Sequence, residues 1–521
     1  MRRWLGWTFA VAVALVAMSL LSVAAYGRFA KRVQGVPSYA LPPGEAVTPL
    51  DRRINALLDS PEGRAGHSGL AMLSSNLDAF AARALSARGA GRSLDLIYYI
   101  WKRDLTGRLL MAEAVAAADR GVRVRLLLDD IGAGSHDPSL LALDAHPLIE
   151  VRLFNPTRAR AGNLRRGIEM VLRAFSITRR MHNKAWIADG RVAIVGGRNV
   201  GDEYFGAGER TFFRDLDLLA LGPVVDQTEG MFDAYWNSPA ALPIAALARA
   251  EDHALANLKH QLRQLADSDE ARPYVERVRQ GVSLPDLLTY HLHWCPQARL
   301  ITDPPEKVFR KQGDNWLMHE LLPILGSARV RLDITSPYFV PGEQGTDALV
   351  ALAGRGVAVS VLTNSLAATD VAAVHGGYAP YRPRLLQGGV ALFELRPSAG
   401  AVRYSLYGSS SASLHTKAFT VDDREGFIGS LNFDPRSFSL NTEMGIVFDS
   451  PALIAEMGKL FALETAPDFS YRVHWDAETG RLRWTAKEDG QLIQLDREPG
   501  APLLKRLIAR VVSWLPLESQ L

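Results

Sequence analysis

One eight-residue pattern occurs twice in this chain, and any fold it adopts must accommodate both copies. His182-Asn183-Lys184-Ala185-Trp186-Ile187-Ala188-Asp189 is followed, after six residues, by Gly196-Gly197-Arg198-Asn199. His415-Thr416-Lys417-Ala418-Phe419-Thr420-Val421-Asp422 is followed, again after six residues, by Gly429-Ser430-Leu431-Asn432. A lone His-x-Lys arises easily on a strand edge, but two copies with identical internal spacing do not. In extended chain, residues i and i+2 share a face. Each copy therefore sets an imidazole beside an ammonium, while Trp186 and Ile187, or Phe419 and Val421, carry the strand on into a core.

The surroundings of the two copies repeat as well. Leu94 to Tyr99 reads as a strand, an Ala-rich helix follows from Leu109 to Asp119, and Arg120-Gly121 turns into a second strand through Leu128. In the second half Val330 to Ile334 is the strand, a helix leads to Ala353, and Gly354-Arg355-Gly356 turns into the strand ending at Leu362. Strand, helix, strand at this spacing is a βαβ unit with a parallel pair and a crossover helix. The expected fold is thus α/β, as two pseudo-symmetric domains. Each is a mixed sheet flanked by helices, with the active site at their interface.

The expected organisation is an N-terminal membrane anchor or signal segment over 1–33, a first domain over 60–238 and a helical connecting insertion over 239–290. A second domain over 291–465 and a C-terminal tail over 466–521 complete it. Arg2 and Arg3 precede an uncharged run from Trp4 to Tyr26, close to the roughly 20 residues a bilayer core needs and longer than a signal-peptide core. An uncleaved anchor is the expectation; a cleaved signal is the competing reading, with Ser22 to Ala25 as the small residues a peptidase would use. Basic residues flank both ends, so their count does not orient the segment. Near the other terminus, Leu503 to Leu515 is apolar with Lys505, Arg506 and Arg510 interspersed. Such a helix suits either a membrane interface or a place on the protein's own core.

Composition narrows the chemistry. A net charge of +3 disfavours a nucleic-acid partner. The single cysteine, Cys295, excludes an intramolecular disulfide and a thiolate zinc cluster. His291 and His293 bind a metal only if further ligands converge.

Two imidazoles, two ammonium groups and hydrogen-bonding side chains suit phosphodiester transfer. One neutral imidazole attacks phosphorus to give a phosphohistidine, and the other, protonated, donates to the departing alkoxide; the roles then reverse. Lys184 and Lys417, with Asn199, Asn432 and Ser430, would neutralise and hydrogen-bond the non-bridging oxygens, so that neither metal nor cofactor is required. Asp215 and Glu443, each just before an apolar run, are candidates to orient the imidazoles, and Asp217 is a weaker one. Arg210 and Arg214 either grip a lipid phosphate or form a solvated face.

The duplicated motif resembles the phospholipase D superfamily, and its surroundings are similar to bacterial cardiolipin synthases of the C type. Tyr99-Ile100-Trp101 to Asp130, Gly196 to Phe205, and Asn432-Phe433-Asp434-Pro435-Arg436-Ser437 with Asn441 and Glu443 carry that likeness, which spans about Ser93 to Ser450. It implies a single site made by both motifs, with His182 as nucleophile, His415 as acid, and Asp189 and Asp422 bracing the fold. Gly197 departs from the pattern, since many motifs have there the serine seen here as Ser430.

The resemblance further implies a phosphatidyltransferase that makes cardiolipin from phosphatidylglycerol and a second phospholipid, phosphatidylethanolamine being one option. The expected setting is the bacterial inner membrane, with an N-terminal anchor and room for a protein partner. Hydrolysis by a phospholipase D is the alternative; a nuclease and an inactive lipid-binding scaffold are less favoured.

Overall fold

The computed structural model describes residues 2–514, apart from 43–46, 134–136, 159, 161–162, 174–177, 208–211, 280–291, 310–312, 314–315 and 398–411. Among the residues singled out in the sequence, Arg210, His291 and Leu515 lie outside it.

Both halves are α/β and share one topology. In the first, strand Ser93–Tyr98 leads through helix Leu105–Asp119 to strand Arg123–Asp129, and the two strands pair in parallel, Leu96 opposite Leu126. In the second, Arg331–Thr335 leads through helix Gly342–Gly354 to Ala358–Asn364, again parallel, with Ile334 opposite Val361. The turn before each second strand uses a glycine at positive φ, Gly121 at 101° and Gly356 at 89°, a conformation that a side chain disfavours. Motif strands Ala185–Ala188 and Ala418–Val421 pair antiparallel with the first strand of their unit. Each then turns back into a hairpin, with Val192–Gly196 and Glu425–Gly429 respectively.

Alternation along the strands sorts side chains between cores. Leu94, Leu96 and Tyr98 join the outer core of the first half, and Phe419, Val421 and Phe427 that of the second. Ile97, Ile187 and Val195 face the other way, into a core shared with Ala418, Ile428, Met444 and Ile446. The sheets therefore meet through their inner faces, with helices Pro223–Trp236 and Pro451–Glu464 packed in the same layer. Burial of this apolar surface, at roughly 25 cal/mol per Å², holds the halves in register.

The flanking segments extend these units. Helices Ala254–Ala266 and Arg272–Arg279 lay Leu258, Leu262, Tyr274 and Val278 on the first outer core. Strand His293–Cys295 pairs with Ser68–Leu73 and so belongs to the first sheet. Residues 466–521, set apart in the sequence as a tail, supply three strands to the second sheet, Ser470–Asp476, Arg481–Glu488 and Gln491–Leu495. Val473 and Trp484 from these strands are buried in its outer core. The segment expected to be an anchor is one helix, Arg2–Arg32, with side chains described from Ala17 on. Among the described residues, no helix is long and apolar enough to cross a membrane.

Candidate active site

Upstream of each motif strand the chain leaves its own sheet and pairs with the opposite half. The His182 amide donates to the Thr442 carbonyl at 2.9 Å, and the Thr442 amide to Arg180 at 2.9 Å. On the other side Ala412–Leu414 runs parallel to Phe212–Arg214, and the His415 amide donates to the Arg214 carbonyl at 2.7 Å. Two short crossings thus stand side by side, each bringing a motif histidine next to residues that precede a carboxylate of the opposite half.

The carboxylates are Glu443 and Asp215. Glu443 Oε2 lies 2.8 Å from His182 Nδ1, and Asp215 Oδ2 lies 2.5 Å from His415 Nδ1. Both histidines are buried among the halves, leaving Nε2 as the ring nitrogen that neither carboxylate engages. Burial, then the charges of Lys184, Lys417 and His415, hold His182 well below the ordinary imidazole value. Burial and Lys417 also lower His415, but the adjacent Asp215 pulls it back up. The carboxyl groups move oppositely. Burial raises Asp215, yet its contacts with His415, Lys417 and Arg198 outweigh that and keep it low. Burial pushes Glu443 up to about 7 despite Lys184.

Both lysine ammonium groups are tied down locally: Lys184 donates to the His182 carbonyl at 2.6 Å and Lys417 to the His415 carbonyl at 2.5 Å. Burial brings Lys184 down to about 7 and Lys417 to about 8. A site with two such cations beside two imidazoles favours an anionic phosphodiester, whose charge would restore the protonated amines.

The remaining candidates divide. Ser430 donates to Glu443 at 2.5 Å, and Ser437 donates to the other Glu443 oxygen at 2.8 Å. At the position matching Ser430, a Cβ on Gly197 would come 2.2 Å from Asp215 Oδ1, so the first copy has no space for a serine. Asn199 is committed to structure, accepting from the Ile100 amide at 3.1 Å and donating to the Tyr204 hydroxyl at 2.9 Å. Asn432 keeps a buried side-chain oxygen with no partner among the described residues. Asp217 serves neither imidazole; it pairs with Arg83 at 2.9 Å and Arg198 at 3.4 Å inside the first half. Arg214 sits 3.8 Å from Glu464. His293 contacts Glu456 at 3.2 Å, apart from the motif histidines.

The motif aspartates stand at the far ends of their strands. Asp189 accepts from the amides of Gly91, Arg92 and Ser93 at 2.7 to 3.2 Å. Asp422 accepts from those of Arg329, Val330 and Arg331 at 2.8 to 3.1 Å. Their backbones, with φ of 54° and 53°, form the hairpin turns. They brace the strands and do not reach the imidazoles.

Further residues position the two imidazoles. Asp129, at the end of its parallel strand, accepts from the Met181 amide at 3.0 Å. Asn364, at the equivalent strand end, bonds both backbone groups of Leu414 at 2.9 Å. Tyr99 lies edge-on to the His182 ring at 4.9 Å, and Tyr204 and Phe213 flank His415 at 5.2 and 4.9 Å. Asp129 and Asn364 each end the second strand of a βαβ unit, which is the signal that points to them.

The family model described as cardiolipin synthase, PLD-like domain matches residues 86–236 and 321–463. Cardiolipin synthase C of Escherichia coli is 40% identical over 475 residues, covering 90% of this chain and 99% of that protein. An uncharacterized protein of Helicobacter pylori is 31% identical over 462 residues, covering 86% of this chain and 89% of its own. Among solved structures, the phosphatidylserine synthase of Haemophilus influenzae superposes with a TM-score of 0.56 at 12% identity, covering 91% of this chain and all of that one. At that identity the likeness concerns the fold.

Proposed function

This chain belongs to the cardiolipin synthase, PLD-like family, and from that premise we propose that it is a phosphatidyltransferase making cardiolipin through a phosphohistidine on His182. The carrying observation is that a carboxyl group of the opposite half grips each motif histidine at Nδ1, Glu443 at His182 and Asp215 at His415. Burial lowers both imidazoles, His182 further, and at His415 the ionised Asp215 offsets part of that effect. The imidazole held further toward the neutral form suits the nucleophile, and the one backed by the ionised Asp215 suits the acid.

In the first half-reaction Nε2 of His182 attacks the phosphorus of a donor phospholipid. The P–O bond to the departing alcohol breaks, and His415 gives that oxygen its proton. Glu443 steadies the Nδ1 side of His182 as positive charge grows on the ring. Lys184, Lys417 and Asn432 face the non-bridging oxygens, where charge accumulates. In the second half-reaction a hydroxyl of phosphatidylglycerol passes its proton to His415 and attacks phosphorus. The P–N bond breaks, releasing His182 and the product. Asp189 and Asp422 fix the strands that present these groups.

The substrates are phospholipids, and the N-terminal helix, with its uncharged run from Trp4 to Tyr26, anchors the enzyme at a bacterial inner membrane. Incubation of the full chain with phosphatidylglycerol alone, phosphatidylethanolamine alone and both together, read by lipid mass spectrometry, tests the assignment and identifies the donor. Cardiolipin is expected from wild type and absent with His182→Ala and His415→Ala. Phosphatidic acid as the sole product would replace transfer by hydrolysis.

A further inference from the structure

Helix Leu503–Val512 is mounted with its faces inverted. An amphipathic helix on a soluble body ordinarily turns its apolar stripe inward. Here Lys505 reaches under the helix to the carbonyls of Ala367 at 3.0 Å and Thr369 at 2.6 Å, and Arg506 to that of Glu498 at 2.8 Å. Ala509 and Val512 rest on Gly376, where an added Cβ would come 2.5 Å from the Ala509 carbonyl oxygen. The opposite face presents Leu503, Leu504, Leu507, Ile508, Val511 and Trp514, with exposures of 83% at Leu503, 60% at Leu507 and 73% at Trp514. Between Gly500 and Trp514 there are three cations and no carboxylate.

The mount is also placed at the catalytic pole. Ala367 and Thr369 follow strand Ala358–Asn364, whose last residue holds Leu414 beside His415. The N-terminal helix attaches at the matching end of the first sheet. Its Tyr26 and Phe29 rings stack under Arg173 at 3.3 Å and Arg158 at 4.8 Å, and Arg173 in turn bonds Asn155, just past strand Ile149–Phe154.

We propose that Leu503–Val512, with Trp514, is a membrane-docking helix: its outward face lies in the interface of an anionic bilayer and holds the mouth of the site against the lipid that supplies both substrates. Arg510, stacked on Trp514 at 5.4 Å on the exposed side, gives the outward apolar face a cationic and aromatic edge that suits the headgroup boundary of an anionic leaflet. A bilayer contact at the strand ends that carry both imidazoles lets a phospholipid reach His182 without leaving the membrane. This reading rests on the lipid-transfer assignment for its purpose, though its first test does not.

Cys295 is buried, so a Cys295→Ala background accepts one environment-sensitive fluorophore at Leu507→Cys or, as control, at Leu492→Cys on the outermost strand of the second sheet. In the full chain reconstituted into phosphatidylglycerol–phosphatidylethanolamine vesicles with doxyl-labelled lipid, the Leu507 probe is expected to be quenched several-fold more than the control. Equal quenching, or self-quenching that grows with protein density as two copies meet, overturns the proposal. The triple variant Leu504→Glu, Leu507→Glu, Val511→Glu changes only exposed side chains. It is expected to lose most turnover of long-chain lipid in vesicles while keeping wild-type turnover of a short-chain monomeric phospholipid; equal effects on both overturn it. Wild type inactive on either lipid refutes the lipid-transfer assignment and leaves the quenching result to decide the docking.

Discussion

Glu443 Oε2 lies 2.8 Å from Nδ1 of His182, although 261 positions separate the two residues. The imidazole of one half is thus oriented by a carboxyl of the other, and Asp215 repays the arrangement at His415. Mutating either carboxyl should impair the histidine of the opposite motif.

The two carboxyl variants should fail at different steps. Glu443→Gln and Asp215→Asn are each expected to lower turnover of natural lipid by about 10²-fold or more, in the range that misplaced or lost acid–base partners produce. With a p-nitrophenyl phosphodiester, whose leaving group needs no proton, Asp215→Asn should recover phosphoenzyme formation and Glu443→Gln should not. Acid-quenched trapping of the phosphohistidine measures both. Equal recovery would reverse or erase the assignment of nucleophile and acid.

The pH profile follows from the buried charges. His182 must be neutral to attack, and burial lowers its affinity for protons, so the acid limb of kcat/KM should lie below the ordinary imidazole value of about 6.5. His415 must carry a proton to act as acid, and burial lowers it too; the lysines must be protonated to receive phosphate, and burial brings them to about 7 and about 8, so activity should fall as pH rises, first with His415 and then with the lysines. Lys184→Arg should remove one step from the alkaline side, because guanidinium stays charged, and leave those of His415 and Lys417.

Gly197→Ser tests whether the first copy lacks a serine by accident. A Cβ there would meet Asp215 Oδ1 at 2.2 Å, displacing the carboxylate that orients His415. The expected result is a loss of turnover similar to that of Asp215→Asn, in a protein that still folds. Ser430→Ala, which removes one of two hydroxyl donors to Glu443, should be milder.

The braces should separate stability from chemistry. Asp189→Ala removes an acceptor serving three backbone amides and is expected to cost about 3 kcal/mol. Asp189→Asn should cost less, since Asn tolerates the φ of 54°. Denaturant midpoints read the first effect, and turnover per folded molecule should stay near wild type in both.

Periodicity and spacing made the two βαβ units, both His-Lys pairs and both carboxyl candidates visible. They did not show that the carboxyl partners cross between halves, because that depends on how Met181 pairs with Thr442 and Leu414 with Arg214, contacts with no local signature. Asn199 and Asn432 look identical by position. Their surroundings separate them: the Ile100 amide and Tyr204 hydroxyl occupy the first, while the second has a buried oxygen left unpaired. Residues 466–521 read as a tail in the sequence. Strand Ser470–Asp476 is nevertheless recruited by the edge strand Ala391–Leu395, a long-range pairing that only the assembled sheet provides.

The fixed interval between histidine and aspartate acts as a gauge. In both copies a four-residue strand, Ala185–Ala188 or Ala418–Val421, separates the reactive pair from the carboxylate that clamps the neighbouring backbone. At about 3.3 Å per residue and alternating sides, adding or removing one residue would shift the imidazole along its crossing and turn it to the wrong side. The clamp would meanwhile stay in place. The motif is thus a measured length of chain, and its spacing records a distance as much as a chemistry.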